Sequence, residues 1–254
     1  MRTRSLIVGV LAAATAIGGL TLPAAAAAAN PQDEASSRIV NGKPASENYP
    51  FMASLQGSSG SHSCGASLIK ADWVVTAKHC VGSGASGMQF RIGTQTHNAG
   101  GTVVKADKVV THSTIDIALV KLANPVKEKP IAVADSAGAD GTATRIIGWG
   151  LTCPTRGCGN VPVQLQELDT KIRPDSACTG ISGAQEICTD NPGGNSGACY
   201  GDSGGPQVKK VGGAWQLIGA TSRSGNGSPT CATGPSIYVD VTTFKDWIAQ
   251  NTGA

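Results

Sequence analysis

The amino-acid sequence predicts an all-β fold, and three observations support this prediction. Short apolar runs recur along the chain, turn-forming residues separate them, and glycine is abundant, with 34 copies. Strands that are this short and this frequent are typical of β-barrels and β-sandwiches. A helical spacing of apolar residues is expected only in the tail.

The strand candidates begin with a hairpin. Residues 51–56 and 62–69 flank the sequence Gly57-Ser58-Ser59-Gly60, which favours a turn between two antiparallel strands. Eight further candidates follow along the chain, at residues 73–76, 88–92, 103–110, 117–122, 142–147, 164–172, 215–221 and 236–240. The segment 123–141 is rich in Pro, Ala, Gly and charged residues, and it separates two strand-rich halves.

The helix candidate is the tail, residues 241–250. Phe244, Trp247 and Ile248 stand at positions i, i+3 and i+4, so they share one face of a helix and indicate packing rather than function. The expected N-terminal cap of this helix is Thr242 or Thr243.

The first 29 residues have the features of a secretory signal peptide. Arg2 and Arg4 make the start basic, residues 6–22 are almost wholly apolar, and an alanine run ends at Ala29. A retained membrane anchor is the alternative, but the apolar run is interrupted by polar and glycine residues and is short for a span of about 20 residues. The polar segment 30–38 suits a removable pro-segment. The mature protein is therefore expected to be secreted, extracellular and free of the membrane.

Four motifs carry the chemistry. In Gly201-Asp202-Ser203-Gly204-Gly205-Pro206 a serine is surrounded by glycines, which leave its hydroxyl unshielded and let backbone N–H groups converge. Upstream lie Thr76-Ala77-Lys78-His79-Cys80 and Asp116-Ile117-Ala118-Leu119, and Arg38-Ile39-Val40-Asn41-Gly42 precedes them all. Together these motifs resemble those of the chymotrypsin/trypsin family of serine endopeptidases, in its bacterial secreted form. The resemblance runs from Ile39 to about Gln250.

The resemblance implies a specific architecture. Two six-stranded antiparallel β-barrels would be followed by a C-terminal helix, with the active site in the cleft between the barrels. The peptidase domain would span residues 39–254, with the first barrel in 39–130 and the second barrel and helix in 131–254.

The resemblance also implies a catalytic triad. Ser203 is the expected nucleophile, His79 the general base and then acid, and Asp116 the carboxylate that orients the imidazole, because a serine hydroxyl is a weak nucleophile without a base. Asp107 is the alternative to Asp116, but Asp116 opens the half-buried run 117–120.

Three histidines lie outside these motifs. His62, His97 and His112 are expected to face solvent or to pack within the fold, which is the commoner fate of a histidine.

The same resemblance implies an oxyanion hole and an activation cleavage. The backbone N–H groups of Gly201 and Ser203 would form an oxyanion hole. Cleavage after Arg38 would activate the enzyme, because the new α-amine of Ile39 would pair with Asp202, a carboxylate that is costly to bury alone. The alternative interpretation of Arg38 is a charged linker residue.

The eight cysteines indicate disulfides, since an exported protein folds in an oxidising environment. Their spacing alone leaves many connectivities open. The resemblance implies Cys64–Cys80, Cys178–Cys188 and Cys199–Cys231, which leaves Cys153 and Cys158 to close a small loop. Zinc is the competing use, but no Cys-x2-Cys pair occurs and export disfavours thiolates, so we expect no metal.

The specificity pocket is where the chain departs from the enzymes that cut after Lys or Arg. Those enzymes carry an aspartate at the pocket floor, where this chain has Gly197 followed by Ala198. Ser224 and Ser236 would narrow the pocket walls, and Ser222 would complete the lining. The sequence therefore favours a small to medium uncharged substrate side chain.

Two charged residues also depart from the family pattern. Arg223 replaces the usual tryptophan after Ser222, which makes an acidic upstream substrate residue conceivable. Lys78 replaces an alanine before His79, but adjacent side chains usually point apart, so we expect only a small effect on the imidazole.

The sequence thus predicts a serine endopeptidase that acts on protein or peptide substrates as a monomer. A net charge of +3 gives no indication of nucleic-acid or membrane partners. No cofactor motif is found, and the loop between Ile92 and Gly101 looks too short to assign to calcium. An activating protease and proteinaceous inhibitors are conceivable partners. An esterase or narrow processing hydrolase with the same triad, and a non-catalytic binding homologue, are the alternatives.

Overall fold

The computed structural model describes residues 39–253 of the chain. The predicted signal peptide (1–29) and pro-segment (30–38), including Arg38, lie outside the described residues. The strands are β1 (Lys43–Pro44), β2 (Met52–Gln56), β3 (His62–Lys70), β4 (Trp73–Thr76), β5 (Gln89–Ile92), β6 (Thr102–Thr111), β7 (Ala118–Leu122), β8 (Ala143–Gly148), β9 (Gln166–Arg173), β10 (Glu186–Thr189), β11 (Pro206–Val211), β12 (Ala214–Ser224) and β13 (Ser236–Asp240), and the helix is α1 (Lys245–Thr252).

The first six long strands form a closed antiparallel barrel. Its strand order is β2-β3-β4-β7-β6-β5, and the β2–β5 pairing closes it. The predicted hairpin is confirmed as β2 and β3, with Ala53 opposite Ala66. Fully buried side chains from alternating strand positions fill the interior, among them Leu68, Phe90 and Leu119.

The later strands form the second barrel. The order β9-β10-β13-β12-β11-β8 is closed by the β8–β9 pairing, and β1 adds to the edge of β9. The expectation of an all-β fold with two six-stranded barrels and a C-terminal helix is confirmed. Buried Leu217, Ile218 and Val239 contribute to its packing.

Some elements differ from the sequence prediction. Strands β1, β10 and β11 were not expected, and β10 and β11 are short or carry lysines that break the apolar pattern. The tail opens with a 3-10 turn at Val241–Phe244 before α1 begins at Lys245. Asp240, rather than Thr242 or Thr243, supplies the cap, because its side chain accepts a hydrogen bond from the Thr242 N–H.

Four disulfides cross-link the described residues: Cys64–Cys80, Cys153–Cys158, Cys178–Cys188 and Cys199–Cys231. Three of these are the pairs that the family resemblance implies, and Cys153–Cys158 is the pair that was left to close a small loop. All eight cysteines are consumed, so none remains as a thiolate that could ligate zinc.

The helices within residues 39–253 are all too short or too polar to cross a bilayer.

A close backbone approach joins the two barrels. The Gly65 N–H on β3 donates to the Ser203 carbonyl at 2.8 Å, and the Gly65 carbonyl accepts from Thr76 Oγ1 at 2.8 Å. A Cβ added at Gly65 would stand 2.7 Å from Gly205 Cα. Glycine at this position therefore lets the loop that carries Ser203 lie directly against the first barrel.

We expect Gly65→Ala to lower the free energy of unfolding by about 1–3 kcal/mol, because the new methyl group overlaps backbone atoms that cannot move aside alone. Denaturant unfolding measures the change. Gly57→Ala in the neighbouring turn is the matched control, since nothing lies within 4 Å of its Cβ position. Equal stabilities of the two variants would contradict the proposed close packing.

Candidate active site

The ends of strands position the three candidate catalytic side chains. His79 lies in the 3-10 turn Lys78–Cys80 just after β4, and Asp116 lies shortly before β7. Because β4 and β7 pair in register, with Thr76 opposite Ala118, the two residues meet at the same end of the first barrel. Ser203 lies in the loop before β11 of the second barrel.

His79 and Asp116 are held together by two hydrogen bonds. The ring Nδ1 lies 2.8 Å from Asp116 Oδ2, and the His79 backbone N–H donates to Oδ1 at 2.9 Å. A carboxylate accepts only, so the ring donates through Nδ1 and leaves the Nε2 lone pair available. Asp107 is exposed on β6 and takes no part in this arrangement.

The second barrel also contacts Asp116. Ser222 Oγ donates to Asp116 Oδ2 at 2.7 Å. Burial raises the pKa of the Asp116 carboxyl, but the hydrogen bonds from His79 and Ser222 outweigh burial and hold the pKa below its ordinary value. Asp116 is therefore ionised at neutral pH. The sequence assigned Ser222 only to the pocket, and nothing in its local pattern indicated this hydrogen bond.

Ser203 and His79 line the same cavity. The described residues contain no hydrogen bond between Ser203 Oγ and His79 Nε2, so the two side chains are neighbours without direct bonding. Such contacts are commonly loose in a protein without substrate and tighten when substrate binds.

The loop around Ser203 offers two unused N–H groups. The backbone N–H groups of Asp202, Gly204 and Gly205 donate to carbonyls within the protein. Those of Gly201 and Ser203 donate to no acceptor among residues 39–253. Gly201 has φ of +100°, a conformation that residues with a side chain rarely adopt, so glycine is needed to turn its N–H into this position.

The Asp202 carboxylate points away from the cavity into the protein interior. It accepts from the N–H groups of Gly150 at 2.8 Å and Cys199 at 2.9 Å, and the residue is 2% exposed. Burial raises the pKa of this carboxyl to about 7, although the two N–H groups oppose the shift.

The start of the described chain lies near this loop. Ile39 is buried, and the Val40 carbonyl accepts from the Gly197 N–H at 3.1 Å. No hydrogen bond joins Ile39 to Asp202 within the described residues. In the uncut chain the Ile39 nitrogen is a neutral amide, so it offers no charge to this carboxylate.

A cavity of about 300 Å³ adjoins Ser203. Four of the predicted pocket residues line it: Ala198, Ser222, Ser224 and Ser236. Gly197 is not among the lining residues but lies directly behind, since its Cβ position would be 3.8 Å from Ser236 Oγ.

Arg223 and Lys78, the two cations that depart from the family pattern, both have partners within the protein. Arg223 forms a bidentate ion pair with the buried Glu186, with N···O distances of 2.5 and 2.8 Å. The acidic substrate residue considered for Arg223 therefore has a competitor within the protein. Lys78 Nζ donates to the carbonyls of His112 and Ser113, at 2.8 and 3.0 Å, so its charge is held by the 112–113 segment.

The remaining histidines pack within the fold. His112 lies edge-on to Phe244 and Trp247, and His97 packs near His62. His62 has a more specific position, because its Nε2 lies 3.0 Å from the Gly201 carbonyl and its Nδ1 lies 2.7 Å from Ser54 Oγ. Burial lowers the pKa of His62 to about 4, so the ring is neutral at pH 7 and supports the Ser203 loop without charge.

The chain is similar in sequence to known proteins. The family model described as Trypsin matches residues 39–248. The chain is 34% identical over 232 residues to a trypsin of Sarcophaga bullata, covering 84% of this chain and 88% of the relative. It is 33% identical over 238 residues to a trypsin-like protease of Streptomyces glaucescens, covering 87% and 84%.

A third relative is trypsin delta of Drosophila melanogaster, 34% identical over 236 residues and covering 84% of this chain and 88% of the relative. Because insect and bacterial proteins match equally well, the comparisons do not distinguish the expected bacterial type. The family match extends over nearly all of the described residues, and the chain therefore belongs to the trypsin family of serine endopeptidases.

Proposed function

We propose that the protein hydrolyses peptide bonds through Ser203, His79 and Asp116, by way of an acyl-enzyme. The observation that carries the proposal is the hydrogen-bonded His79–Asp116 pair on the cavity that Ser203 also lines. Asp116 holds the imidazole with Nδ1 protonated, so Nε2 can accept a proton from the Ser203 hydroxyl.

The reaction then proceeds in two halves. Ser203 Oγ attacks the carbonyl carbon of the substrate while its proton passes to His79 Nε2. The carbonyl oxygen becomes an oxyanion and accepts from the Gly201 and Ser203 N–H groups, each worth about 3 kcal/mol in the transition state. His79 next protonates the leaving amine as the C–N bond breaks. A water molecule, deprotonated by His79, releases the acid product and restores Ser203.

The cavity favours uncharged substrate side chains. Its lining holds serines and Ala198 but, within the part of the chain that the structure describes, no carboxylate. A cation that enters the cavity loses its hydration, and no opposite charge compensates for this loss. A substrate lysine or arginine is therefore disfavoured in this cavity. Ser224 and Ser236 on the cavity lining take up space that glycine would leave open, which favours small to medium side chains.

Activation by cleavage after Arg38 fits the environment of Asp202. Its buried carboxylate lacks a cation among residues 39–253, and Ile39 is already buried beside this part of the fold. A free α-amine at Ile39 would supply the missing positive charge. The four disulfides support export, so we also propose that the enzyme is secreted, acts as a monomer, and meets its activating protease and any protein inhibitors outside the cell.

We predict that Asp116→Asn lowers kcat by at least about 10²-fold, because the amide no longer stabilises the imidazolium that forms at His79. Steady-state hydrolysis of a chromogenic peptide measures the loss. Asp107→Asn removes a carboxylate from an exposed position and serves as the control, with activity within about twofold of wild type. Stoichiometric labelling of Ser203 by a phosphonofluoridate tests the same assignment in wild type, and no labelling of the processed protein would refute it.

A second prediction concerns the cavity. Peptides that differ only in the residue before the scissile bond should rank Leu and Ala above Arg in kcat/KM, since no carboxylate awaits the cation. Ala198→Asp should raise kcat/KM for the Arg peptide relative to that for the Leu peptide. A clear preference of the wild type for Arg would overturn the proposed specificity.

A third prediction uses the raised pKa of Asp202. A carboxyl whose folded-state pKa is raised stabilises the fold while it is protonated, and this contribution is lost as pH rises from about 4 to about 7. In an uncut Arg38→Gln, Ser203→Ala background, Asp202→Asn should therefore gain stability over its parent across this window, by up to about 4 kcal/mol. Denaturant unfolding at pH 4, 5.5 and 7 measures the gain.

The cut form supplies the control for this third prediction. When Ile39 carries a free amine, its positive charge should stabilise ionised Asp202 and remove the advantage of asparagine at pH 7. An advantage that stays the same in the cut form would argue against the Ile39–Asp202 ion pair.

A further inference from the structure

Arg156 lies on the wall of the cavity beside Ser203. It belongs to the loop closed by the Cys153–Cys158 disulfide. This loop is attached to the Cys199–Cys231 disulfide, which lines the cavity, because the Cys231 N–H donates to the Pro154 carbonyl at 2.8 Å. Two cross-links therefore restrict where the Arg156 side chain can lie.

Tyr200 gives Arg156 a fixed platform. The guanidinium carbon lies 3.9 Å from the centroid of the Tyr200 ring, and the Tyr200 hydroxyl donates to the Pro229 carbonyl at 2.6 Å. Arginine stacked on an aromatic face keeps its N–H edge free for hydrogen bonding. Tyr200 directly precedes Gly201, so this cation is held close to the proposed oxyanion hole.

The charge of Arg156 has no partner of opposite charge among the described residues. The cavity lining contains two guanidinium groups, and that of Arg223 is neutralised by the buried Glu186. Arg156 has no ion pair and donates no hydrogen bond within residues 39–253. Asp116, the nearest carboxylate to the reaction, is already bonded to His79 and Ser222.

We propose that Arg156 binds an acidic side chain of the substrate, on a residue within two positions of the one whose side chain enters the cavity. The inference rests on the proposed endopeptidase function and extends it to a substrate class, peptides that carry Asp or Glu close to the scissile bond. A carboxylate can accept two parallel N–H bonds from the guanidinium edge while the opposite face remains on Tyr200. Arg156 is a specificity residue and takes no part in bond cleavage.

The test uses paired peptides that differ only by Glu or Gln, with Leu kept as the residue in the cavity and the pair scanned over the two residues on either side of it. For the processed wild-type enzyme we expect kcat/KM to be about threefold to tenfold higher for Glu at one or more positions, an advantage that shrinks as salt is added. Arg156→Gln should abolish this advantage, so that the Glu and Gln peptides of each pair are cleaved with equal kcat/KM.

Lys127→Gln is the matched control. It removes one positive charge from an exposed residue outside the cavity lining, and it should keep the Glu advantage. Equal Glu and Gln rates in wild type, or the same Glu advantage in Arg156→Gln, would overturn the proposal. If instead no peptide is cleaved and Ser203 is not labelled in wild type, the proposed function has failed, which is a distinguishable result.

Discussion

The burial of the Asp202 carboxylate is the constraint on which the rest of the site depends. The carboxylate holds the loop that carries Ser203 in place by accepting hydrogen bonds from the N–H groups of Gly150 and Cys199. Side chains at Gly148 or Gly150 would overlap the carboxylate, so glycine is required on both sides of it. With Asp202 turned inward, the N–H groups of Gly201 and Ser203 donate to no acceptor among residues 39–253. The same burial disfavours the ionised form of the Asp202 carboxyl.

The contact between the two barrels gives the site its geometry. Asp116 and His79 come from neighbouring strands of the first barrel, whereas Ser203 comes from the second. Among the hydrogen bonds that cross between the barrels are those from Ser222 to Asp116, from Gly65 to Ser203, and between His62 and Gly201. The main hydrophobic core also spans both barrels, so packing and these hydrogen bonds together hold the Ser203 loop against the barrel that carries His79 and Asp116.

The charges around the cavity are arranged so that most are neutralised internally. Arg223 is paired with Glu186, Lys78 is held by backbone carbonyls, and Asp116 is bonded to His79 and Ser222. Within the described part of the chain the exception is Arg156, whose loop is held by two disulfides and whose side chain stacks on Tyr200. The described lining has no carboxylate and includes this unpaired guanidinium, so the cavity would disfavour a cationic side chain inside it and favour an acidic one nearby.

The sequence by itself determined the fold class, most strands, and the identity of His79, Asp116 and Ser203 as candidates, because apolar periodicity and short motifs are local properties. The sequence did not predict strands β10 and β11, because their pairing with neighbouring strands, rather than their own composition, makes them strands. The role of Ser222 toward Asp116 and the stacking of Arg156 on Tyr200 were decided only by tertiary structure. These contacts join residues 106 and 44 positions apart, and no local pattern encodes a hydrogen bond or a cation–aromatic contact at such separations.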